Sequence, residues 1–155
     1  ENLSVACLLA PSASPDKPEE QERKNAFFEM FGNHLQKVRN KRREFIICGN
    51  WQLAHTPADV QDTEQNSTSS GFLAEERQWL SELLSSGYVD AFREINSDQD
   101  EFSWWPDGDR DTNGWRTDFH VVSQGLKYTV DYGAIYKSKV FSTHAPVIMD
   151  YDLEL

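Results

Sequence analysis

The residues best placed to do chemistry are Asn50 and Gln52, which follow the apolar run Phe45-Ile46-Ile47-Cys48 after a break at Gly49. A buried strand that ends by offering polar side chains to an opening is how many α/β proteins present a site. Neither amide carries a charge, and neither acts as a general acid or base near neutral pH. The stretch supplies hydrogen-bonding groups and no proton-transfer group.

Other constellations are weaker. His34, His55, His120 and His144 have no Cys or His at zinc-ligand spacing. Asp109-Arg110-Asp111-Thr112-Asn113-Gly114 imitates the first half of a calcium loop, but the twelfth position is His120 and Trp105-Pro106 blocks the required entering helix. That cluster is read as a solvated turn. Neither a Gly-rich phosphate loop nor a Gly-x-Ser-x-Gly elbow occurs.

Around these residues the chain has 155 positions, 15 basic and 26 acidic, for a net charge of −11. Nucleic-acid affinity comes largely from phosphate neutralisation by Lys and Arg, so this balance argues against tight, unaided binding to DNA or RNA. Cys7 and Cys48 lie in apolar runs and read as buried free thiols. No apolar run approaches the roughly 20 residues of a membrane span, and no secretory signal is visible, so a cytoplasmic location is expected. The chain opens without Met, and its first ten residues, Glu1 to Ala10, already read as a strand. A preceding piece of the domain is therefore expected.

The elements that must position the polar residues follow from periodicity. A strand is predicted over residues 1–10, and a helix over 19–40 with Phe27, Met30, Phe31, Leu35 and Val38 on its inner face. The helix exit is basic: Lys37, Arg39, Lys41, Arg42 and Arg43. A second strand covers 45–48 and a second helix 72–85, with Trp79, Leu80, Leu83 and Leu84 inward. Residues 90–95 read as a helical turn or two. Strands are predicted at 102–105, 117–123, 128–136 and 147–151. The class is α/β or α+β with layered packing.

Three segments together are more specific than any one. They are Cys48-Gly49-Asn50-Trp51-Gln52 with Ala54-His55-Thr56-Pro57, Gly114-Trp115-Arg116-Thr117-Asp118-Phe119, and Phe141-Ser142-Thr143-His144-Ala145-Pro146. In this order they resemble the exonuclease III branch of the endonuclease/exonuclease/phosphatase superfamily. The resemblance implies a four-layer αββα sandwich, of which residues 1–155 would form the C-terminal portion of one domain.

In active members the matching segments read Gly-Asp-Trp-Asn, Gly-Trp-Arg-x-Asp and Ser-Asp-His-Ala-Pro. By that resemblance Asp118 and His144 keep the family's Asp–His pair, whereas Asn50 replaces a carboxylate, Gln52 an asparagine and Thr143 another carboxylate. The Lys41-Arg42-Arg43-Glu44 lead-in and Phe102-Ser103-Trp104-Trp105-Pro106-Asp107 extend the resemblance to the superfamily's catabolite repression control branch. That implies a non-enzymatic, cytoplasmic translational regulator without a cofactor, acting with Hfq on A-rich mRNA. Arg42, Arg43 and Glu44 are then expected to contact the partner, and Trp105 and Arg116 the RNA. Weak nucleic-acid binding by the chain alone and self-association of an uncovered sheet are also expected. The alternative is an active magnesium-dependent nuclease of the exonuclease III kind, working on 3′ ends or abasic sites.

Overall fold

A computed structural model describes residues 2–39 and 41–154. Strand β1 (Leu3–Leu9) is followed by helix α1 (Pro18–Val38) and strand β2 (Glu44–Asn50). Then come α2 (Ala74–Ser85), β3 (Tyr88–Asp90), α3 (Ala91–Ile95), β4 (Asp118–Ser123), β5 (Val130–Ile135) and β6 (Val147–Tyr151). One sheet has the order β1-β2-β4-β3, with β1 parallel to β2 and the other pairs antiparallel; β5 and β6 form a separate antiparallel pair.

Helix α1 starts where Pro18 presets its first turn and Glu19 and Glu20 complement the positive end of the dipole. Its buried face is Lys24, Phe28, Leu35 and Val38; Met30, expected inside, is exposed. The inner stripe runs through Phe28 rather than Met30, with Phe27 and Phe31 packed at its margins. Helix α2 buries Leu80 and Leu83 beside it. Both helices cover the sheet face formed by Ile47, Phe119, Val121 and Tyr88, where Trp51 and Leu53 are fully enclosed. Period-two alternation sends Ile46, Val89 and Val122 to the opposite face, where Met149 and Tyr151 of β6 pack on them.

The β5–β6 pair covers only part of that second face. Val5 and Leu9 on edge strand β1 stay 67% and 76% exposed. Cys7 and Cys48 are free but lie opposite each other on this outer face, exposed and half-buried respectively, so the expectation of burial is corrected. Both are free thiols, as read. The stretch 102–105 makes isolated bridges in place of a strand, and β3, unforeseen, precedes the short α3. The expected helix end at Asn40 and strand start at Glu1 lie outside the described residues. No helix among the described residues is long and apolar enough to cross a membrane.

Candidate functional site: an Asp–His pair beside two amides

Gly49 explains the break after β2. A Cβ there would lie 2.0 Å from the Leu8 carbonyl oxygen, so only glycine permits β1 to pass this closely. Beyond it Trp51 turns into the helix-covered core, packed at a tilt against Phe31 and Trp79, and this anchor leaves Asn50 and Gln52 at the rim. Asn50 Oδ1 accepts from the Gln52 backbone N–H at 2.9 Å, which helps hold Gln52 at a left-handed φ of 55°. The Gln52 carbonyl accepts from Lys24 Nζ at 2.6 Å.

Lys24 is fully buried and bridges Glu76 at 2.6 Å. Burial pushes its ammonium below the usual lysine range, while Glu76 works in the opposite direction. Glu76 also accepts from the backbone N–H groups of Gly71 and Leu73. A buried ion pair satisfied this way orients the Gln52 turn more than it stabilises the fold.

Across the β2–β4 ladder Asp118 lies in register with Asn50. Its Oδ2 is 2.8 Å from His144 Nδ1. With Nδ1–H donating to the carboxylate, Nε2 is the nitrogen left for a ligand. The imidazole stacks on Trp104 at 5.9 Å and 22°. Backbone bonds tie this corner together: Ala145 N–H donates to Ser103 O, Trp105 N–H to Thr143 O, and Ser103 Oγ accepts from Thr117 and Asp118 N–H. His144 and Gln52 line one cavity of about 260 Å³, walled by Trp104, Trp115, Thr117 and Lys24.

The structure thus assembles Asn50, Gln52, Asp118 and His144, with Thr143 exposed beside them. Arg42, Arg43 and Glu44 sit elsewhere, at the start of β2; six residues of strand place them roughly 20 Å from its site end. Trp105 and Arg116, expected to touch RNA, are 3% and 1% exposed, and this expectation is corrected. Trp105 packs with Phe92, Phe102 and Ile135. Arg116 is held by Asp59 at 2.7 Å and Asp90 at 2.5 Å. Burial opposes ionisation of Asp59, but the Arg116 guanidinium outweighs it and holds the carboxyl at about 2. A wider cleft of about 470 Å³ borders this network and does not include His144.

Sequence reasoning missed Lys24 and the wall residue Trp104. A cation amid the apolar positions of a helix is the one signal that would have marked Lys24. The turn at 109–114 is a turn, as read.

No family model matches the chain. An exodeoxyribonuclease of Bacillus subtilis is 35% identical over 112 residues, which are 70% of this chain and 44% of that protein. A DNA-(apurinic or apyrimidinic site) endonuclease of Dictyostelium discoideum is 34% identical over 128 residues, 79% of this chain and 35% of the relative. The solved structure of an AP endonuclease from Archaeoglobus fulgidus superposes with a TM-score of 0.87 at 20% identity, over 97% of this chain and 62% of the other. This is the exonuclease III/AP endonuclease fold. The two sequence relatives support the same superfamily. The chain spans less than half of either curated relative.

Within this fold, the helix layer, the four-stranded sheet and the β5–β6 pair are what these residues contribute. The expectation of a non-enzymatic protein is corrected. The relatives are named as an exodeoxyribonuclease and AP endonucleases, which points to an enzyme. That expectation rests on Asn50, Gln52 and Thr143 standing where active members carry a carboxylate, an asparagine and a carboxylate, while the Asp118–His144 pair is assembled.

Proposed function

We propose that the protein is a phosphoester hydrolase acting on DNA, of the exonuclease III/AP endonuclease kind, with 3′ ends or abasic sites as substrates. The observation that carries this reading is the 2.8 Å pair of His144 and Asp118 at the mouth of the Gln52 cavity. Neutral His144 Nε2 accepts a proton from an attacking water, and Asp118 stabilises the imidazolium that forms. Alternatively the charged ring donates a hydrogen bond to a phosphoryl oxygen as the P–O bond breaks. The Gln52 amide offers a neutral donor to a second phosphoryl oxygen.

Magnesium is the cofactor this kind of chemistry implies. The donors here do not fit it by themselves: Asp118 is engaged by His144, the Asn50 oxygen by Gln52 N–H, and the described residues contain no cluster of three metal-ligating groups. The test is incubation of highly purified protein with magnesium and DNA carrying an abasic site or a 3′ phosphate. Product that disappears in His144→Ala supports the reading. Absence of product at enzyme-to-substrate parity sinks it.

A second, additional reading is favoured by the exposed Lys41, Arg42 and Arg43 at the far end of β2. There the protein would join Hfq on A-rich mRNA and repress translation in the cytoplasm, as the catabolite repression control resemblance implies, with Glu44 at the margin of the contact. Charge reversal at Arg42 and Arg43 that leaves such an assembly intact would remove this reading.

A further inference from the structure

The connection between β5 and β6 is the least acidic part of an acidic chain. From Gly133 to Met149 there is no Asp or Glu, while Lys137 and Lys139 fall near its middle. Residues 136–143 are all exposed, and they include large apolar side chains: Val140 is 60% and Phe141 64% exposed. Tyr136 and Phe141 stack on each other with centroids 6.2 Å apart and 28° between planes. Lys139 Nζ lies 5.4 Å from the centre of the Phe141 ring.

This tip is carried on a fixed base. Tyr136 N–H donates to Pro146 O at 2.8 Å, closing the connection across its ends. Arg110 lies over the Trp105 ring at 3.9 Å and donates to Ser142 O at 3.2 Å. The chain then runs directly through Thr143 into His144. Phe141 is therefore three residues from the group proposed to act on the phosphate.

We propose that Tyr136, Lys139 and Phe141 form a docking platform for single-stranded nucleic acid, gripping the nucleotides that flank the linkage presented to His144. The inference rests on the hydrolase reading for its location, and its chemistry stands apart. Exposed aromatic faces offer a stacking partner to a base, and only unpaired bases present a free face. A neighbouring ammonium neutralises the phosphate of the stacked nucleotide. Glu101 reaches this connection but lies 3.3 Å from Lys137 Nζ, so a lysine of the same connection offsets its charge and lessens the repulsion that the net charge of −11 would impose elsewhere. A second copy of the chain is the competing occupant of such an apolar tip. The platform's Lys139 favours a polyanion.

The test is fluorescence anisotropy of a labelled single-stranded oligonucleotide, at low salt without magnesium, with the full chain and its Tyr136→Ala/Phe141→Ala form. Stacking on two rings predicts about a tenfold or greater loss of affinity in the double variant. Phe141→Trp should retain binding, and Lys139→Gln should flatten the salt dependence. Unchanged affinity in the double variant overturns the platform. So does a variant that dissociates in sedimentation while binding the oligonucleotide normally, because the tip would then be a self-association surface. Hydrolysis is scored separately through His144→Ala. Loss of binding without any hydrolysis removes the hydrolase reading and keeps the platform. Normal binding with His144-dependent hydrolysis does the reverse.

Discussion

Two residues apart on one segment, Arg116 and Asp118 build cation–carboxylate constellations of opposite kind. Arg116 is 1% exposed and donates to Asp59 and Asp90, with Arg93 sharing Asp59 at 2.9 Å. The Asp118 carboxylate has one side-chain partner among the described residues, His144, and the two side chains are 19% and 33% exposed. The enclosed guanidinium is engaged by its own two carboxylates; the open pair has one ring nitrogen to spare. A motif containing both charged residues therefore says little about which one works until burial separates them.

The open pair should yield the largest effect. Removing its ring in His144→Ala is expected to slow DNA phosphoester hydrolysis roughly 10²- to 10⁴-fold while leaving stability within about 0.5 kcal/mol. Steady-state hydrolysis and urea titration on the same preparation decide this. A variant that loses folding instead would show that the pair belongs with the enclosed set.

The enclosed set should respond in the complementary way. Arg116→Leu strips the guanidinium from buried Asp90 and Asp59, of which Asp59 keeps Arg93, and is expected to cost about 3–5 kcal/mol. The urea midpoint reports the loss. A shift worth less than about 1 kcal/mol would mean that solvent reaches Asp59 and Asp90.

Acid offers a gentler probe of the same network. The Asp59 carboxyl is lowered from 3.8 to about 2 in the folded chain. A lowered carboxyl contributes stability above its unfolded value, and that contribution is lost as pH falls from near 3.8 towards 2. The amount is about 2 kcal/mol for a shift of this size. Urea titrations between pH 5 and 2, compared with Asp59→Asn, isolate it. Parallel pH profiles for the two proteins would remove Asp59 as the titrating group.

Much of the fold was legible because periodicity and punctuation agreed. The helix at 19–40 is observed as Pro18–Val38, that at 72–85 as Ala74–Ser85, and the last strand as Val147–Tyr151. Gly49 marked the turn that offers Asn50 and Gln52, and the structure brings both to the rim with Asp118 and His144. The failures share a cause. Trp105 and Arg116 are expected to contact RNA by the resemblance, but burial is decided by partners distant in sequence, Asp59 and Phe92 among them. Cys7 and Cys48 sit in apolar runs whose outer face the β5–β6 pair leaves uncovered. Lys24 could be placed only once Glu76, from another helix, was beside it. Tyr136 ends a predicted strand and Phe141 opens the third motif, and nothing in the sequence pairs them, since their stacking requires the connection to close on itself.

Arg110 is the intermediate case, and the smallest effect is expected there. It is half-buried, lies on Trp105, and makes one hydrogen bond to Ser142 O, with no partner found for Nε and Nη1 among the described residues. Arg110→Lys keeps the charge but loses the planar stack, so it should cost about 0.5–1 kcal/mol in stability. Because Ser142 leads into His144, hydrolysis should fall further than so small a loss of stability would explain. If the cost approached that of Arg116→Leu, charge burial would no longer be what separates the two regions. Loop anchoring would then have to be counted as part of the core.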